Sequence, residues 1–407
     1  MAYSLNLRPL PPRPSWFHLL FLWLGLLVGN WPCLVLGVGS RIPNQDAEAI
    51  GRGNAFAATA DNPSALYYNP AGITQLEGHN VQLGALAYLG IYVDYESPSG
   101  ERFENKRKLL PVPSLDYVFT PEDQPFSFGF GVYAPFGLGM EWPDDVPFRT
   151  AGLKAALTFI TINPVVAWKP HRTLSIAAGP TFNYSEAELI QGVGVSPMQF
   201  RFKGHDWAFG FNAGILWQPL EKWSFGAKYF SATTLDYAGT ASFNSPSLPP
   251  DSGTKAHLDM PQIVAGGISF RPTTNWNVEF DVDWTDWDRT KSVDIDGFGS
   301  LPLNWHSSFM YEVGATRQIC GGYYASLGYF FCQKSTSDRD YTPLVPDGDL
   351  HVGSLGVGYK GKHWRWAFAG QLIGGAFHNV NNASNPTVNG RYRLITPTIS
   401  ASVGYHF

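Results

Sequence analysis

Glu279, Asp281 and Asp283 occupy alternate positions of one stretch, and Asp286 and Asp288 follow it. At a period of two, the first three carboxylates leave the same face of a strand. Carboxylates gathered this way can hold a divalent cation through oxygen ligands, or pair with basic side chains such as Lys228 and Arg365 as an ordinary salt-bridged wall. His205, His257, His306, His351, His363, His378 and His406 show no metal-ligand spacing. Gly51-Arg52-Gly53 opens no nucleotide fold and precedes no lysine. There is no Gly-x-Ser-x-Gly elbow. The residues therefore predict neither a catalytic set nor a cofactor or metal centre, and the chemistry to explain is that of a wall.

The strand that carries the carboxylates is apolar on its other side. Trp276, Val278, Phe280, Val282 and Trp284 oppose Asn277, Glu279, Asp281 and Asp283. The same division recurs where Trp207, Phe209, Phe211, Ala213, Ile215 and Trp217 oppose Ala208, Gly210, Asn212 and Gly214. It recurs again in the last strand, where Ile395, Ile399, Val403, Tyr405 and Phe407 oppose Thr396, Thr398, Ser400 and Ser402. Strands that are apolar on one side and small or polar on the other separate two solvents, as in a membrane barrel with lipid outside and a polar lumen inside. Composition agrees: aromatic and charged residues each make up 15%, the latter well below the roughly 25% of soluble domains. Tryptophans cluster at strand ends, where an indole keeps its ring in lipid and its N–H among headgroups. No apolar run after residue 37 is long enough for a helical span.

Six short polar turns punctuate the chain: Pro121 to Gln124, Lys169 to Arg172, Pro219 to Lys222, Arg271 to Asn275, Cys320 to Gly322 and Lys360 to His363. Longer stretches alternate with them: Asp94 to Pro111, Phe136 to Lys154, Ala187 to Gly204, Asp236 to Ala256, Asp288 to Asn304, Lys334 to Asp349 and Ala376 to Gly390. This alternation predicts an all-β, antiparallel transmembrane barrel of about 14 strands over residues 79–407, with short periplasmic turns and long outer loops. Cys332 should then lie opposite a residue near Met310, leaving Cys320 and Cys332 on the order of 30 Å apart and both thiols free.

The N-terminus has the pattern of a secretory signal. Arg8 and Arg13 precede the apolar run Phe17 to Gly29, and small residues follow near Gly37, which predicts a signal peptide over 1–37. Cys33 follows Pro32 rather than the small residue a lipoprotein signal requires. Losing Arg8 and Arg13 takes the net charge from −5 to −7, which argues against nucleic acid as a partner.

Residues 38–78 do not fit the ladder of strands. They are rich in small residues and contain Asn62-Pro63 and Asn69-Pro70, each a capping side chain before a proline suited to a first helical position. Helices that short need a surface to fold against, and a lumen of fourteen strands can supply one. Here the chain resembles the FadL/TodX family of outer-membrane transporters for long-chain fatty acids and other hydrophobic compounds. The resemblance begins at Gly51-Arg52-Gly53-Asn54-Ala55 and Ala60-Asp61-Asn62-Pro63-Ser64 and is sharpest at Tyr68-Asn69-Pro70-Ala71-Gly72. It continues at Tyr133-Ala134-Pro135-Phe136-Gly137-Leu138-Gly139-Met140-Glu141-Trp142 and at Pro346-Asp347-Gly348-Asp349.

The resemblance implies that Asn69, Pro70 and Ala71 belong to an N-terminal hatch, 38–78, plugging the lumen. It implies a kink at Pro135, Phe136, Gly137, Leu138 and Gly139 that opens the wall of the third strand. The residues point the same way, since Pro135 lacks an N–H for the ladder and Gly137 and Gly139 remove side chains beside it. The aromatic ending Tyr405 and Phe407 resembles the signal read by the barrel-assembly machinery. The expected partners are thus a hydrophobic small molecule, that machinery, and outer-membrane lipid with lipopolysaccharide around a monomer in a Gram-negative outer membrane. The expected activity is passive uptake of a hydrophobic compound, fatty acid or aromatic hydrocarbon, by loop capture, a lumen pocket and lateral exit. A diffusion porin for polar solutes and an outer-membrane lipid hydrolase are the alternatives.

Overall fold

The computed structural model describes residues 39–381 and 384–407; the expected signal peptide, 1–37, lies outside them. Alternating strands close into a barrel of fourteen antiparallel strands. In chain order these are β1 (Gly78–Tyr88), β2 (Leu110–Thr120), β3 (Phe126–Glu141), β4 (Lys154–His171), β5 (Leu174–Gly192) and β6 (Gln199–Leu220). The next two are each interrupted: β7 (Trp223–Phe230, then Thr233–Phe243) and β8 (Ser252–Met260, then Ile263–Phe270). Then come β9 (Trp276–Thr285), β10 (Ser308–Gln318), β11 (Tyr323–Cys332), β12 (Leu350–Lys360), β13 (Trp364–Gly374) and β14 (Gly390–His406). Each strand pairs with its neighbour, and β14 closes on β1 from Asn80↔His406 to Tyr88↔Thr398. The Phe407 N–H extends that seam by donating to the His79 carbonyl at 3.0 Å, and its ring packs edge-on against Tyr405.

The predicted faces are the observed ones. Phe280 is 48% exposed while Glu279 and Asp281, on either side of it, are each 1% exposed. Trp168, Trp217, Trp223, Trp276 and Trp364 stand outward near the short turns as an interfacial girdle. Cys332 lies opposite Met310, and both Cys320 and Cys332 are free thiols.

The outer ends of several strands run farther than the hydropathy pattern predicts. β5 continues to Gly192 and β6 begins at Gln199, inside the stretch read as a loop from Ala187 to Gly204. The same holds for β3, which reaches Glu141, and for β7 and β8. Above the bilayer the outward positions no longer need to be apolar, so the alternation persists as charge. Glu188 bonds Lys154 at 2.6 Å and Arg201 at 2.8 Å across neighbouring strands, and Glu186 pairs with Lys203 at 2.9 Å. Trp142, Trp287 and Trp305 belong to a buried aromatic core at this end rather than to a girdle.

Residues 39–77 are almost wholly buried and meet the inward faces of the strands. The segment holds two short helices, α1 (Ala47–Gly51) and α2 (Ala65–Tyr68), and a 3-10 helix, Pro70–Gln75. Asp46 caps α1, accepting from the Glu48 and Ala49 N–H groups, and its other oxygen accepts from the Gln82 amide on β1 at 2.8 Å. Asn69 caps the 3-10 helix by accepting from the Ala71 N–H at 3.2 Å, with Pro70 in the first turn. The reading at Asn62-Pro63 needs correction, because α2 starts two residues after Pro63 with Ser64 at its N-cap. Asn62 instead accepts from the Ser64 N–H and hydroxyl, a local turn that competes with capping. The wall accommodates this segment by omitting side chains: a Cβ on Gly314 would strike the Arg52 carbonyl, and one on Gly328 would strike the Gly53 backbone.

Candidate functional site

β3 breaks where its sequence removes ladder donors. Tyr133 pairs with Thr161 and Phe136 with Phe159, so Ala134 and Pro135 together face the single residue Ile160 of β4. That is a bulge, which bends the strand it interrupts. On the other edge the consequence is larger. β2 and β3 pair only from Phe119↔Phe128 to Leu115↔Val132, whereas β2 continues up to Leu110 and β3 to Glu141. The facing stretches 110–114 and 133–137 share no ladder, so β2 and β3 part there and leave a window between them. Its upper edge is tied where Glu141 accepts from the Lys106 and Lys108 ammonium groups and from the Lys106 N–H at 2.8 Å.

The window is filled from inside by Ser40 to Gln45. Arg41 forms an antiparallel bridge with Phe136; the Ile42 N–H donates to the Pro135 carbonyl at 2.8 Å and the Gly137 N–H to the Ser40 carbonyl at 2.7 Å. Gln45 spans both edges. Its side chain accepts from the Ala134 N–H at 3.2 Å and donates to the Ala134 carbonyl at 2.8 Å, while its own carbonyl accepts from the Ser114 hydroxyl at 3.2 Å. Backbone groups at Ala134, Pro135 and Gly137 of β3 are thus satisfied by a segment outside the wall, as buried backbone requires, while on the β2 side the contact is through the Ser114 hydroxyl. Phe136 turns inward, fully buried against Phe159, Phe230 and Trp287.

The carboxylates of β9 hold the same segment from across the lumen. Asp283 forms a buried ion pair with Arg41, whose other nitrogen donates to the Thr285 hydroxyl at 3.1 Å. Asp281 accepts from the Phe56 and Ala57 N–H groups at 2.8 Å each. Glu279 accepts from the Ala58 and Thr59 N–H groups and meets Arg52 at 3.4 Å. Of the partners named from sequence, Arg365 is corrected, since it reaches the Asp61 carbonyl; Lys228 shares a pocket with Asp281 and Asp283, and its ammonium donates to the Tyr67 carbonyl at 3.2 Å while lying over the Tyr67 ring. Of the oxygens considered for a cation, both of Glu279 and one each of Asp281 and Asp283 are taken by backbone, hydroxyl and guanidinium donors, while Asp281 Oδ1 is buried without a hydrogen-bond partner among the described residues. Glu312 on β10, directly opposite Asp281, lines the same small polar pocket as Arg41, Lys228 and Asp283.

The structure therefore joins two predicted groups, Pro135 to Gly139 and Glu279, Asp281 and Asp283, through Arg41. Asn69, Pro70 and Ala71 stand apart from them beside β6, where Asn69 donates to the Ala57 and Ile215 carbonyls at 2.7 and 3.0 Å. Tyr405 and Phe407 lie at the seam. Sequence reasoning missed Arg41, Arg52, Gln45, Ser114 and Glu312. The presence of arginines in an otherwise small-residue segment, against unpaired inward carboxylates, was the available signal.

Asn69 is fully buried, and Asn69→Ala would remove a cap and leave the Ala57 carbonyl without its donor. Each orphaned group costs roughly 1–3 kcal/mol. Proteolysis within residues 55–75 should therefore become faster, with the heat-modifiable migration of the barrel retained. A protease pattern identical to wild type would show that Asn69 does not hold the segment.

Pro346-Asp347-Gly348-Asp349 fixes the outer loop between β11 and β12. Asp347 accepts from the Ser335 N–H and hydroxyl at 2.6 and 2.7 Å and from the Thr336 N–H at 3.1 Å. Burial pushes its carboxyl above the usual carboxylate range, against the opposing effect of these donors. The knot sets Leu344 and Val345 into a cavity of about 100 Å³ at the outer end of the barrel, which Ser40 also lines.

Residues 35–364 match the family model of the outer membrane protein transport protein (OMPP1/FadL/TodX). The chain is 24% identical over 376 residues to the 47 kDa outer membrane protein of Pasteurella multocida, covering 82% of this chain and 87% of the relative. It is 20% identical over 370 residues to the long-chain fatty acid transport protein of Escherichia coli K12, covering 76% and 82%. Its fold superposes on a Pseudomonas aeruginosa FadL homologue with a TM-score of 0.81 at 18% identity, over 91% of this chain and all of that one. The toluene transporter TodX of P. putida gives 0.69 at 16% identity, over 89% and 99%. A closed barrel with a lipid-facing apolar band, matched along most of its length by outer-membrane proteins, is a protein of the Gram-negative outer membrane. By the match to its family model over residues 35–364, the chain belongs to the outer membrane protein transport protein (OMPP1/FadL/TodX) family.

Proposed function

We propose that the protein is a passive outer-membrane transporter for hydrophobic compounds and that its substrate leaves sideways through the window between β2 and β3. The observation that carries this reading is the unpaired stretch of wall, 110–114 against 133–137, into which Ser40 to Gln45 fit. A solute captured among the outer loops would enter the apolar cavity beneath them. It would pass into the bilayer when residues 40–45, acting as part of a hatch, withdraw from the window. Such a route suits an apolar molecule, since burial at about 25 cal/mol per Å² drives both capture and release into lipid. It is useless to a sugar. Residues 39–77 across the lumen and the committed inward carboxylates also argue against a diffusion porin. The relatives are named as transport proteins and outer-membrane proteins, in keeping with a non-enzymatic role. Tyr405 and Phe407 would act in assembly, which the outer-membrane abundance of a chain lacking Phe407 checks.

The deciding experiment reconstitutes the full protein in vesicles and follows a hydrophobic probe and a small sugar in parallel. Protein-dependent entry of the probe without sugar-driven swelling is expected. Swelling comparable to that given by an open porin would refute the reading.

A further inference from the structure

We propose that the outer rim of the window is a binding site for the phosphate groups of an outer-leaflet glycolipid, the lipid A portion of lipopolysaccharide. The proposal goes beyond the transporter reading and does not depend on it. The strands set the height of the site. On β14 the outward face runs from Tyr405 through Val403, Ile399 and Ile395 to Arg393 and Arg391. Tyr405 packs on Trp364 in the girdle near the short turns, ten residues from Ile395. At about 3.4 Å per residue and a tilt of about 40°, that step rises about 25 Å, the height of the apolar band. Arg393 and Arg391 are therefore the first outward side chains of β14 above the hydrocarbon, at the depth of the outer headgroups. Beside the window the same ten-residue step leads from Phe119, stacked on His79, to Leu109, which follows Lys106, Arg107 and Lys108 and is 65% exposed.

From β14 to β3 the cations form one belt, joined through the short strands Tyr92–Glu96 and Arg102–Glu104. Arg102 and Arg391 share Glu96, at 3.3 and 3.9 Å; Arg107 pairs with Glu104; Lys106 and Lys108 reach across the top of the window to Glu141. Arg393 faces Asp94 in register and makes no ion pair among the described residues. Six cations thus meet four carboxylates, with Glu101 farther out at the hairpin tip, in a chain whose net charge is −5. Exposed ion pairs of this kind are worth little, so a phosphate can compete for them. Arg391 and Arg393 both lie over the Phe377 ring, at 4.5 and 5.5 Å from its centre, and Phe377 is itself 42% exposed. Stacking holds the two guanidinium planes and leaves N–H edges for an anion, the geometry in which arginine binds phosphate through two bonds at once. Phe377 and Leu109, apolar and exposed at this depth, suit an anion that carries acyl chains better than a free one. Farther round the barrel the excess is missing, since Arg201 and Lys203 of β6 are matched by Glu188 at 2.8 Å and Glu186 at 2.9 Å.

The test titrates the full protein, folded in detergent, with fluorescently labelled, bisphosphorylated lipid A. Wild type is compared with the double variant Arg391→Gln with Arg393→Gln and, as a control at comparable height, Arg201→Gln with Lys203→Gln. Each is scored only where heat-modifiable migration shows a folded barrel. Should the first pair not fold, Arg393→Gln alone replaces it, because that side chain has no ion pair to lose. Losing two basic groups beside a phosphate should weaken binding by about tenfold or more, while the control pair binds as wild type does. Removing both phosphates from lipid A should cost the wild type a similar factor, and millimolar inorganic phosphate should not displace the probe. Unchanged binding by the Arg391 and Arg393 variant, an equal loss in both pairs, or dephosphorylated lipid A bound as tightly as lipid A overturns the proposal. Displacement by inorganic phosphate also overturns it, since the site would then serve a free anion. None of these measurements involves transport, so a failure here leaves the transporter reading untouched.

Discussion

Arg41→Ala should free residues 40–45 from the barrel wall while leaving the barrel itself intact. Arg41 is 1% exposed, and its guanidinium is shared between Asp283 and the Thr285 hydroxyl. Removing one partner of a buried ion pair costs about 3–5 kcal/mol, because the other charge stays buried without compensation. The competing grip is the set of hydrogen bonds to Pro135, Gly137, Ala134 and Ser114, each worth about 0.5–1.5 kcal/mol net. The two are of similar size, so losing the brace should raise the population of the open window by roughly a hundredfold or more. Amide exchange at Ile42 and Gly137 should accelerate accordingly, and the hydrophobic probe should enter vesicles faster. Thermal unfolding of the barrel should move little, since no ladder bond involves the Arg41 side chain. The double variant Arg41→Ala with Asp283→Ala removes the orphaned charge as well and should recover much of the protection, a coupling expected only between groups that interact. Exchange rates at Ile42 unchanged in Arg41→Ala would show that the cross-lumen pair does not hold the window shut.

The barrel was legible because its two solvents impose a period of two on nearly every strand, and because six short turns fix the strand number without reference to hydropathy. The faces of β9 and β14 followed from the same rule. Legibility ended where the solvent changed. Glu186, Glu188, Arg201 and Lys203 still alternate above the bilayer, yet without apolar partners their strands resemble loops. The bend at Pro135 was visible because proline lacks an N–H. What fills the bend was not, because Gln45 and Ala134 are 89 residues apart and Arg41 and Asp283 are 242 apart. Glutamine in a segment of small residues carries no mark of the two strand edges it joins. The β9 carboxylates were read as wall for a related reason: their partners are mainly backbone N–H groups of Phe56 to Thr59, which any residue types would supply.

A disulfide between Ser40→Cys and Gly137→Cys should stop transport while leaving the ligand bound. The Gly137 N–H donates to the Ser40 carbonyl at 2.7 Å, one step along from the Arg41↔Phe136 bridge, so the two positions face each other across an antiparallel pair. Facing Cα atoms in such a pair lie about 5.5 Å apart, inside the roughly 4.4–6.8 Å that a disulfide spans. The exposed thiol of Cys320 is replaced by serine, together with Cys33, to prevent mispairing; Cys332 is buried. Oxidation would then fix residues 40–45 in the window, and vesicle uptake of the hydrophobic probe should drop to the level of protein-free vesicles. Reduction should restore it. Of the residues lining the outer cavity the crosslink alters only Ser40 and leaves Leu157, Leu258, Leu303 and Leu344 in place, so probe binding by the oxidised protein should match the reduced form. Binding and transport are measured on the same preparation because a collapsed cavity would abolish both. If a folded, oxidised, ligand-binding protein transports at the normal rate, the window is not the exit. The path would then run down past the 3-10 helix Pro70–Gln75 toward the short turns, and the hydrogen bonds of Gln45 would be a structural repair of β3 with no part in transport.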